Sequence, residues 1–242
     1  MASAKRLIKR IPGVSAAVTI TAPYRGYVRT MRQRFVPQLY VDFRDFNIGE
    51  IEINNTCNLD CIMCRSSLSQ RPRRTMALDL FEHCVEQEKR FGSGHTTLHT
   101  IGEPLMNANL DKYLEVLRTH KIDITLSTNV LLMAKRMPIL FEYGDVIRSI
   151  RFSIDGATKA TYERLRTPGK FSALIENLEL FLSENQKREV FKDIRIGSVV
   201  STDVMHELAY HLKFYSRYAR MRNISLVLMS GLCPDNQYFL EN

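Results

Sequence analysis

No run of apolar residues in the 242-residue chain approaches the roughly 20 that a membrane-spanning helix needs, which excludes such a span. Acidic residues are missing from the first 40 positions, where Lys5, Arg6, Lys9, Arg10, Arg25, Arg29, Arg32 and Arg34 stand without one Asp or Glu. These eight account for the whole formal charge of +8, and the rest of the chain balances 26 basic against 26 acidic groups. The excess charge therefore belongs to a leader and not to a polyanion-binding body. Aromatic rings are sparse in that leader, with Tyr24, Tyr27 and Phe35 before Pro37, so it lacks the stacking surface of a single-strand binder. The stretch 11–22 has Gly, Ser, Thr and Ala where an export signal carries Leu and Phe. The leader is left as a packed or solvated extension, an amphipathic helix contacting a membrane surface or a partner, or an Arg-rich, acid-poor transit peptide.

Cysteine is also scarce. The five are Cys57, Cys61, Cys64, Cys84 and Cys233, an odd number that does not make a secreted disulfide framework. Three of them fall within eight residues, which points to metal chemistry in a reducing, cytoplasmic compartment, and the other two are too few for a second four-cysteine cluster. Neither a short-period repeat nor a low-complexity tract is present. The chain is 45% hydrophobic with 12 Phe and 10 Tyr, which suffices for a sizeable core and excludes a largely disordered protein. Its length fits one large domain or two small ones.

After the leader, periodicity alternates between strand and helix. Strands are expected at 49–54, 96–100, 122–126, 147–154, 194–200 and 224–229. Helices are expected at 76–91, 110–120 and 131–143, with Pro138 limiting the first part of the last of these. Further helices at 157–166 and 171–186 are separated by the Pro168-Gly169 breaker, and one more covers 205–218. Six strands alternating with helices make an α/β chain with parallel pairing and right-handed crossovers, either a doubly wound sheet or a barrel. Both place ligands beyond the carboxyl ends of the strands, so the loops there are the ones to search.

The loop after the first strand carries Cys57-Asn-Leu-Asp-Cys61-Ile-Met-Cys64. Thiolates at this spacing wrap a compact soft-metal centre, and three of them leave one position of a cubane iron–sulfur cluster open to a small molecule. The alternative is zinc completed by a histidine such as His83; zinc knuckles pair two separate Cys-x-x-Cys units, and no second unit exists, so the spacing favours iron and sulfur.

This loop strongly resembles the signature of the radical SAM superfamily, and three further strand ends agree. Thr100-Ile-Gly102-Glu103-Pro104-Leu105 is similar to the family's Gly-Gly-Glu motif, with Thr100 and Ile101 in place of its first glycines. Ser127-Thr128-Asn129-Val130 is similar to its Thr-Asn-Gly loop, and Ser153-Ile154-Asp155-Gly156, followed by Tyr162 to Arg166, to its Ser-x-Asp-Gly form. The resemblance implies a partial (β/α)6 TIM-like barrel over residues 49–242 behind a basic N-terminal extension, residues 1–48. It also implies a [4Fe–4S] cluster ligated by Cys57, Cys61 and Cys64, whose open iron chelates S-adenosylmethionine. One-electron reduction then cleaves that molecule to methionine and a 5′-deoxyadenosyl radical that takes hydrogen from a substrate. Gly102 and Glu103 are expected at the methionyl end, Ser153 and Asp155 at the ribose or the carboxylate, and Arg166 at the carboxylate. Met63 is expected against the adenine, with Leu226, Val227 and Leu228 as a cover for its other side. The protein's share is positioning and the exclusion of solvent and oxygen. Electrons are expected from a separate flavodoxin- or ferredoxin-like protein, since no relay cluster is available.

Plainer roles are available for several residues. Ser127 and Asn129 suit a strand–helix cap, His99 an interior histidine, and Cys84 a small buried hydrophobe. The basic loop Arg65, Arg71, Arg73 and Arg74 suits a solvated face more than an anionic-substrate funnel. A competing function is a non-enzymatic zinc module binding nucleic acid through the leader, a role that leaves the Gly102-Glu103 and Ser153–Asp155 loops without purpose. Nucleic acid is accordingly not an expected partner, whereas peripheral membrane contact by the leader is.

Overall fold

A computed structural model describes residues 48–219 and 224–230. The basic leader, Cys233 and the side chains of Leu226, Val227 and Leu228 lie outside the described part. Five strands, β1 (His95–Thr97), β2 (Asp123–Thr128), β3 (Ile147–Ser153), β4 (Ile194–Val200) and β5 (Ile224–Ser230), form one sheet in sequential order, every pair parallel. The strand expected at 49–54 is reduced to an extended edge. Ile51 N–H donates to Thr97 O (2.8 Å) and Thr97 N–H to Gly49 O (3.1 Å), after which Asn54 leaves to bridge antiparallel with Thr75. With this edge the sheet is the expected partial (β/α)6 barrel.

The crossovers are α1 (Leu78–Phe91), α2 (Leu110–His120), α3 (Met133–Glu142), α4 (Lys159–Leu165), α5 (Phe171–Arg188), α6 (Thr202–His206) and α7 (Leu208–Ala219). α2 and α5 close on left-handed residues, Lys121 and Glu189, with basic side chains in their last turns to meet the negative end of the helix dipole. Two expectations are corrected. Pro138 lies inside α3 rather than limiting it. Arg136 N–H still reaches Leu132 O (3.1 Å) and Tyr143 N–H reaches Ile139 O (3.0 Å), so the turns around the missing donor hold while Met133 and Leu140 are buried. The helix expected at 205–218 is two helices, because Ser201 caps an earlier start at Thr202 and the chain breaks at Glu207. The Glu207 carboxylate accepts instead from the Thr158 and Thr161 hydroxyls (2.9 Å each) and from Ala157 N–H.

Alternation along the strands gives the sheet two unlike faces. Ile124, Leu126, Ile150, Phe152, Ile194 and Ile196 are buried under the helices, with Phe152 edge-on to Phe181 of α5 at 5.5 Å between ring centres. The register aligns the other face as rows of Thr97, Thr125 and Ser149, then Ser127, Arg151 and Arg195, then Ser153 and Gly197. A parallel sheet covered on both sides reads as nearly continuous apolar runs, and a filled barrel has an apolar interior. A polar row facing inward is instead the lining of a ligand space. It ends, at the carboxyl edge, on the loops that carry the cysteines, Glu103, Asn129 and Asp155.

Candidate functional site

The cysteine loop is built by backbone contacts before any cofactor is considered. Asn54 Nδ2 donates to Thr56 O and to Glu103 O, both at 3.0 Å, and Glu103 N–H donates back to Thr56 O (2.8 Å). Gly102 is required here, since a Cβ would run into the Asn54 carbonyl. The close approach that this glycine allows is to the chain's own backbone. Asp60 N–H then donates to Thr167 O (2.6 Å) and Ile62 N–H to Leu165 O (3.1 Å), so Cys61 lies opposite Arg166 between two rungs of a short ladder. Leu59, Cys61 and Met63 pack with Leu165 and Val204 in a small apolar cluster of their own, which accounts for the burial of Met63.

Each of the three sulfurs accepts hydrogen bonds from the chain. Leu59 N–H reaches Cys57 Sγ at 3.4 Å and Asn129 Nδ2 reaches it at 3.8 Å; Ser66 N–H reaches Cys64 Sγ at 3.3 Å; Arg166 Nη1 reaches Cys61 Sγ at 3.9 Å. Donors of this kind favour the thiolate. Burial works the other way, pushing the Cys57 thiol up and Cys61 to about 11, with Arg166 opposing. Left to themselves the Cys57 and Cys61 thiols keep their protons, and a bound cation is what would expel them. Among the described residues, no three His, Cys, Asp or Glu side chains converge on a single metal position, and His83 is exposed on α1. A multi-iron cluster takes each thiolate on a different iron and fits this donor set, so the residues present suit the group that the cysteine spacing implies.

Two buried carboxylates stand behind the sulfurs. Glu103, 3% exposed, accepts from Leu105 N–H (3.1 Å) and Thr128 Oγ1 (2.8 Å) on one oxygen and from Asn129 N–H (2.7 Å) on the other. Burial still pushes its carboxyl above the usual range, against those three bonds. Asp155, 0% exposed, accepts Arg166 Nε (2.8 Å) and Nη2 (2.6 Å) on Oδ2 and Val199 N–H (2.6 Å) on Oδ1. Burial opposes the charge on Arg166, but Asp155 outweighs it and holds the guanidinium more firmly protonated than usual. Gly156, at φ +87°, makes the turn that sends the chain from Asp155 into α4, where a side chain would be strained.

Ser153 of the polar row meets Ser127, Oγ to Oγ, at 3.2 Å. Asn129 caps its loop as expected, accepting from Leu131 N–H (3.1 Å), and it also donates to Asn58 Oδ1 (2.9 Å) and to Cys57. That second duty is one the sequence did not disclose. The next residue, Val130, holds φ +74°, where a β-branched side chain is strained and where the resembling family motif has glycine. Burial of Val130 in the main core and the bond from its N–H to Thr128 Oγ1 (3.1 Å) hold it there.

His99 is half-buried with Nδ1 against Gly102 O (3.2 Å), and burial lowers its pKa to about 4, so it is neutral at pH 7. Cys84 packs half-buried against the main core. The basic loop is less free than expected. Arg71 pairs with Glu52 (2.7 Å), and Arg73 donates to Asn55 O (2.5 Å) and Ser66 Oγ (3.0 Å), bracing the residue whose N–H meets Cys64.

Comparison with known proteins adds to this geometry. The model of the radical SAM superfamily matches residues 51–207. GTP 3',8-cyclase from Desulforamulus reducens is 27% identical over 141 residues, 56% of this chain and 42% of that protein. Mycofactocin maturase MftC from Mycobacterium ulcerans is 22% identical over 184 residues, 76% of this chain and 48% of that protein. Among solved structures, Streptococcus suis SuiB bound to S-adenosylmethionine superposes with a TM-score of 0.64 at 18% identity, covering 94% of this chain and 55% of that one. SuiB has also been solved with its precursor peptide SuiA. The chain thus spans about half the length of the relatives it matches, and the structural likeness is one of fold.

Proposed function

This chain belongs to the radical SAM superfamily, and from that premise we propose that it is the catalytic barrel of a radical SAM enzyme acting in a reducing, cytoplasmic compartment. The observation that carries the proposal is the set of three hydrogen-bonded thiols at the carboxyl edge of an inward-facing polar sheet. Cys57, Cys61 and Cys64 hold the [4Fe–4S] cluster that the family uses together with S-adenosylmethionine. When bound, that pair supplies a 5′-deoxyadenosyl radical able to take a hydrogen atom from substrate.

The chain's own residues do the remaining work. Asn129, Ser66 and Arg166 aim donors at the sulfurs, and the pocket of Leu59, Met63, Leu165 and Val204 keeps water from that side of the loop. Ser153, a half-buried short hydroxyl on the lining, is the group placed to meet ribose or methionyl oxygens, with the buried Ser127 hydroxyl bonded behind it (3.2 Å). Asp155 and Glu103 act chiefly on Arg166 and on the loop, because three hydrogen bonds take most of each carboxylate's acceptor capacity, and Arg166 spends three of its five N–H donors on Asp155 and Cys61. The reducing electron comes from a flavodoxin- or ferredoxin-like protein. The basic leader serves as the element that places the enzyme at a membrane surface or on a partner.

Anaerobic reconstitution of the full chain with iron and sulfide tests the reading. Four irons per chain and 5′-deoxyadenosine formed on reduction with S-adenosylmethionine are expected, and Cys57→Ala, Cys61→Ala and Cys64→Ala should each lose the cluster. Zinc in the purified protein with iron uptake indifferent to these changes would overturn it.

A further inference from the structure

We propose that Asp155 is a positioning residue that fixes the Arg166 guanidinium against the Cys61 sulfur, and that this fixed charge raises the reduction potential of the cluster held by the cysteines. The inference rests on the reading that Cys57, Cys61 and Cys64 ligate a cluster. It gives Arg166 a part that does not involve S-adenosylmethionine.

Three features of the structure point the same way. First, the ladder that pairs Asp60 N–H with Thr167 O and Ile62 N–H with Leu165 O puts Cys61 and Arg166 face to face, so their approach is set by backbone register and not by a chance rotamer. Second, the guanidinium is used on two sides. Nε and Nη2 hold Asp155 Oδ2 at 2.8 and 2.6 Å, which aims Nη1 at Cys61 Sγ, 3.9 Å away. Third, Asp155 cannot follow a moving partner. Its second oxygen is tied to Val199 N–H of β4 at 2.6 Å, and the residue is 0% exposed. Cys57, by contrast, receives a backbone N–H from Leu59 and the neutral amide of Asn129.

The electrostatic consequence has a definite sign. Reducing the cluster adds one electron from the external donor and makes or breaks no bond. A positive charge hydrogen-bonded to a ligand sulfur in a water-poor site favours the state with the extra electron. The buried Asp155 charge opposes this effect, but it lies on the far side of the guanidinium from the sulfur. The nearer charge dominates, since the interaction falls with distance.

The test is an anaerobic redox titration followed by electron paramagnetic resonance, on reconstituted full chain without S-adenosylmethionine. Arg166→Gln should move the midpoint to more negative potential at unchanged iron content, and Arg166→Lys should restore part of the shift. Asp155→Glu keeps the charge but lengthens the arm by one methylene, and it too should move the midpoint negative if position matters. Should Arg166→Gln alone fail to fold, the double variant Asp155→Asn with Arg166→Gln keeps a hydrogen-bonded neutral pair in place, and it should again titrate below wild type. A wild-type midpoint in Arg166→Gln or in the double variant overturns the inference. A wild-type midpoint in Asp155→Glu alone removes Asp155 from it. Absence of a cluster in the wild-type chain overturns the underlying reading instead, so the two failures are told apart by iron content.

Discussion

Glu103 and Asp155 occupy comparable places, each in a loop just past the carboxyl end of a strand and each almost fully buried, yet they are satisfied in opposite ways. Three uncharged donors surround Glu103, from Leu105, Thr128 and Asn129. Asp155 is met by a guanidinium and one backbone N–H. Uncharged donors answer the geometry of a carboxylate without cancelling its charge, and burial still drives the Glu103 carboxyl upward. The arginine cancels the charge of Asp155 and leaves a directed positive end pointing at Cys61. One loop end is thus a rigid hydrogen-bonded splint for Asn129, and the other is a charge-bearing one.

Truncation should separate the two most strongly. Asp155→Ala strands a buried guanidinium, which costs about 3–5 kcal/mol when a buried ion pair loses one partner. Glu103→Ala leaves three donors without their acceptor but also removes a buried charge, so a smaller loss of about 2–3 kcal/mol is expected. Urea denaturation of the full chain measures both, and a larger loss at Glu103 would break the comparison. Adding Arg166→Met to Asp155→Ala should recover a good part of the loss, because the stranded charge goes with it. Glu103 offers no such single partner whose removal could rescue it.

Dependence on pH sharpens the same contrast. The unfolded chain protonates His99 near 6.5 while the folded chain resists until about 4. Stability from this group is therefore complete above pH 6.5 and declines as pH falls through that window, by about 3 kcal/mol. Glu103 acts with the other sign. Its folded carboxyl takes a proton more readily than the unfolded one at 4.5, so its contribution is full below pH 4.5 and lost as pH rises through the raised value. His99→Gln should flatten the first slope and Glu103→Gln the second in denaturation midpoints taken across this range. A variant with the wild-type slope would show that its group does not titrate with folding.

The order of strands, most helices and all four loops were legible in the sequence, because alternation and short motifs are local signals. Partnerships were not. Glu103 is expected at a ligand's methionyl end, and its bonds to Thr128 and Asn129, 25 and 26 residues away, are ones that expectation does not contain. Asp155 is expected at the ribose or the carboxylate, and its pairing with Arg166 is a bond that expectation does not contain. Asn129 read as a cap and also touches Cys57, 72 residues distant. Nothing in a single sequence says which of several donors will lie nearest after folding. The expectations for Pro138 and for one helix over 205–218 failed for a related reason, since burial of Met133 and Leu140 accompanies an intact turn around the missing donor and a Ser201 cap starts a separate short helix that closes at Glu207. Val130 is a local clue of strain, a β-branched residue at positive φ where the resembling motif has glycine.

The smallest effect belongs to a third carboxylate, the aspartate Asp145, which isolates burial from geometry. Asp145 accepts Arg118 Nη2 at 2.6 Å and Nε at 3.0 Å, a grip much like the one on Asp155, but its side chain is 58% exposed. The bond to Arg118 lowers its carboxyl pKa, so its contribution is present above the unfolded value of 3.8 and lost as pH falls through the lower folded one. Exposed pairs gain little because water already solvates both ions, and salt screens what is left. Asp145→Asn should therefore leave the urea midpoint nearly unchanged at neutral pH and erase the difference altogether at about 1 M salt. Asp155→Ala should keep its deficit under the same salt, since ions do not reach a buried pair. If the two aspartates lost stability equally, burial would not be what distinguishes the charge behind Cys61 from an ordinary surface pair.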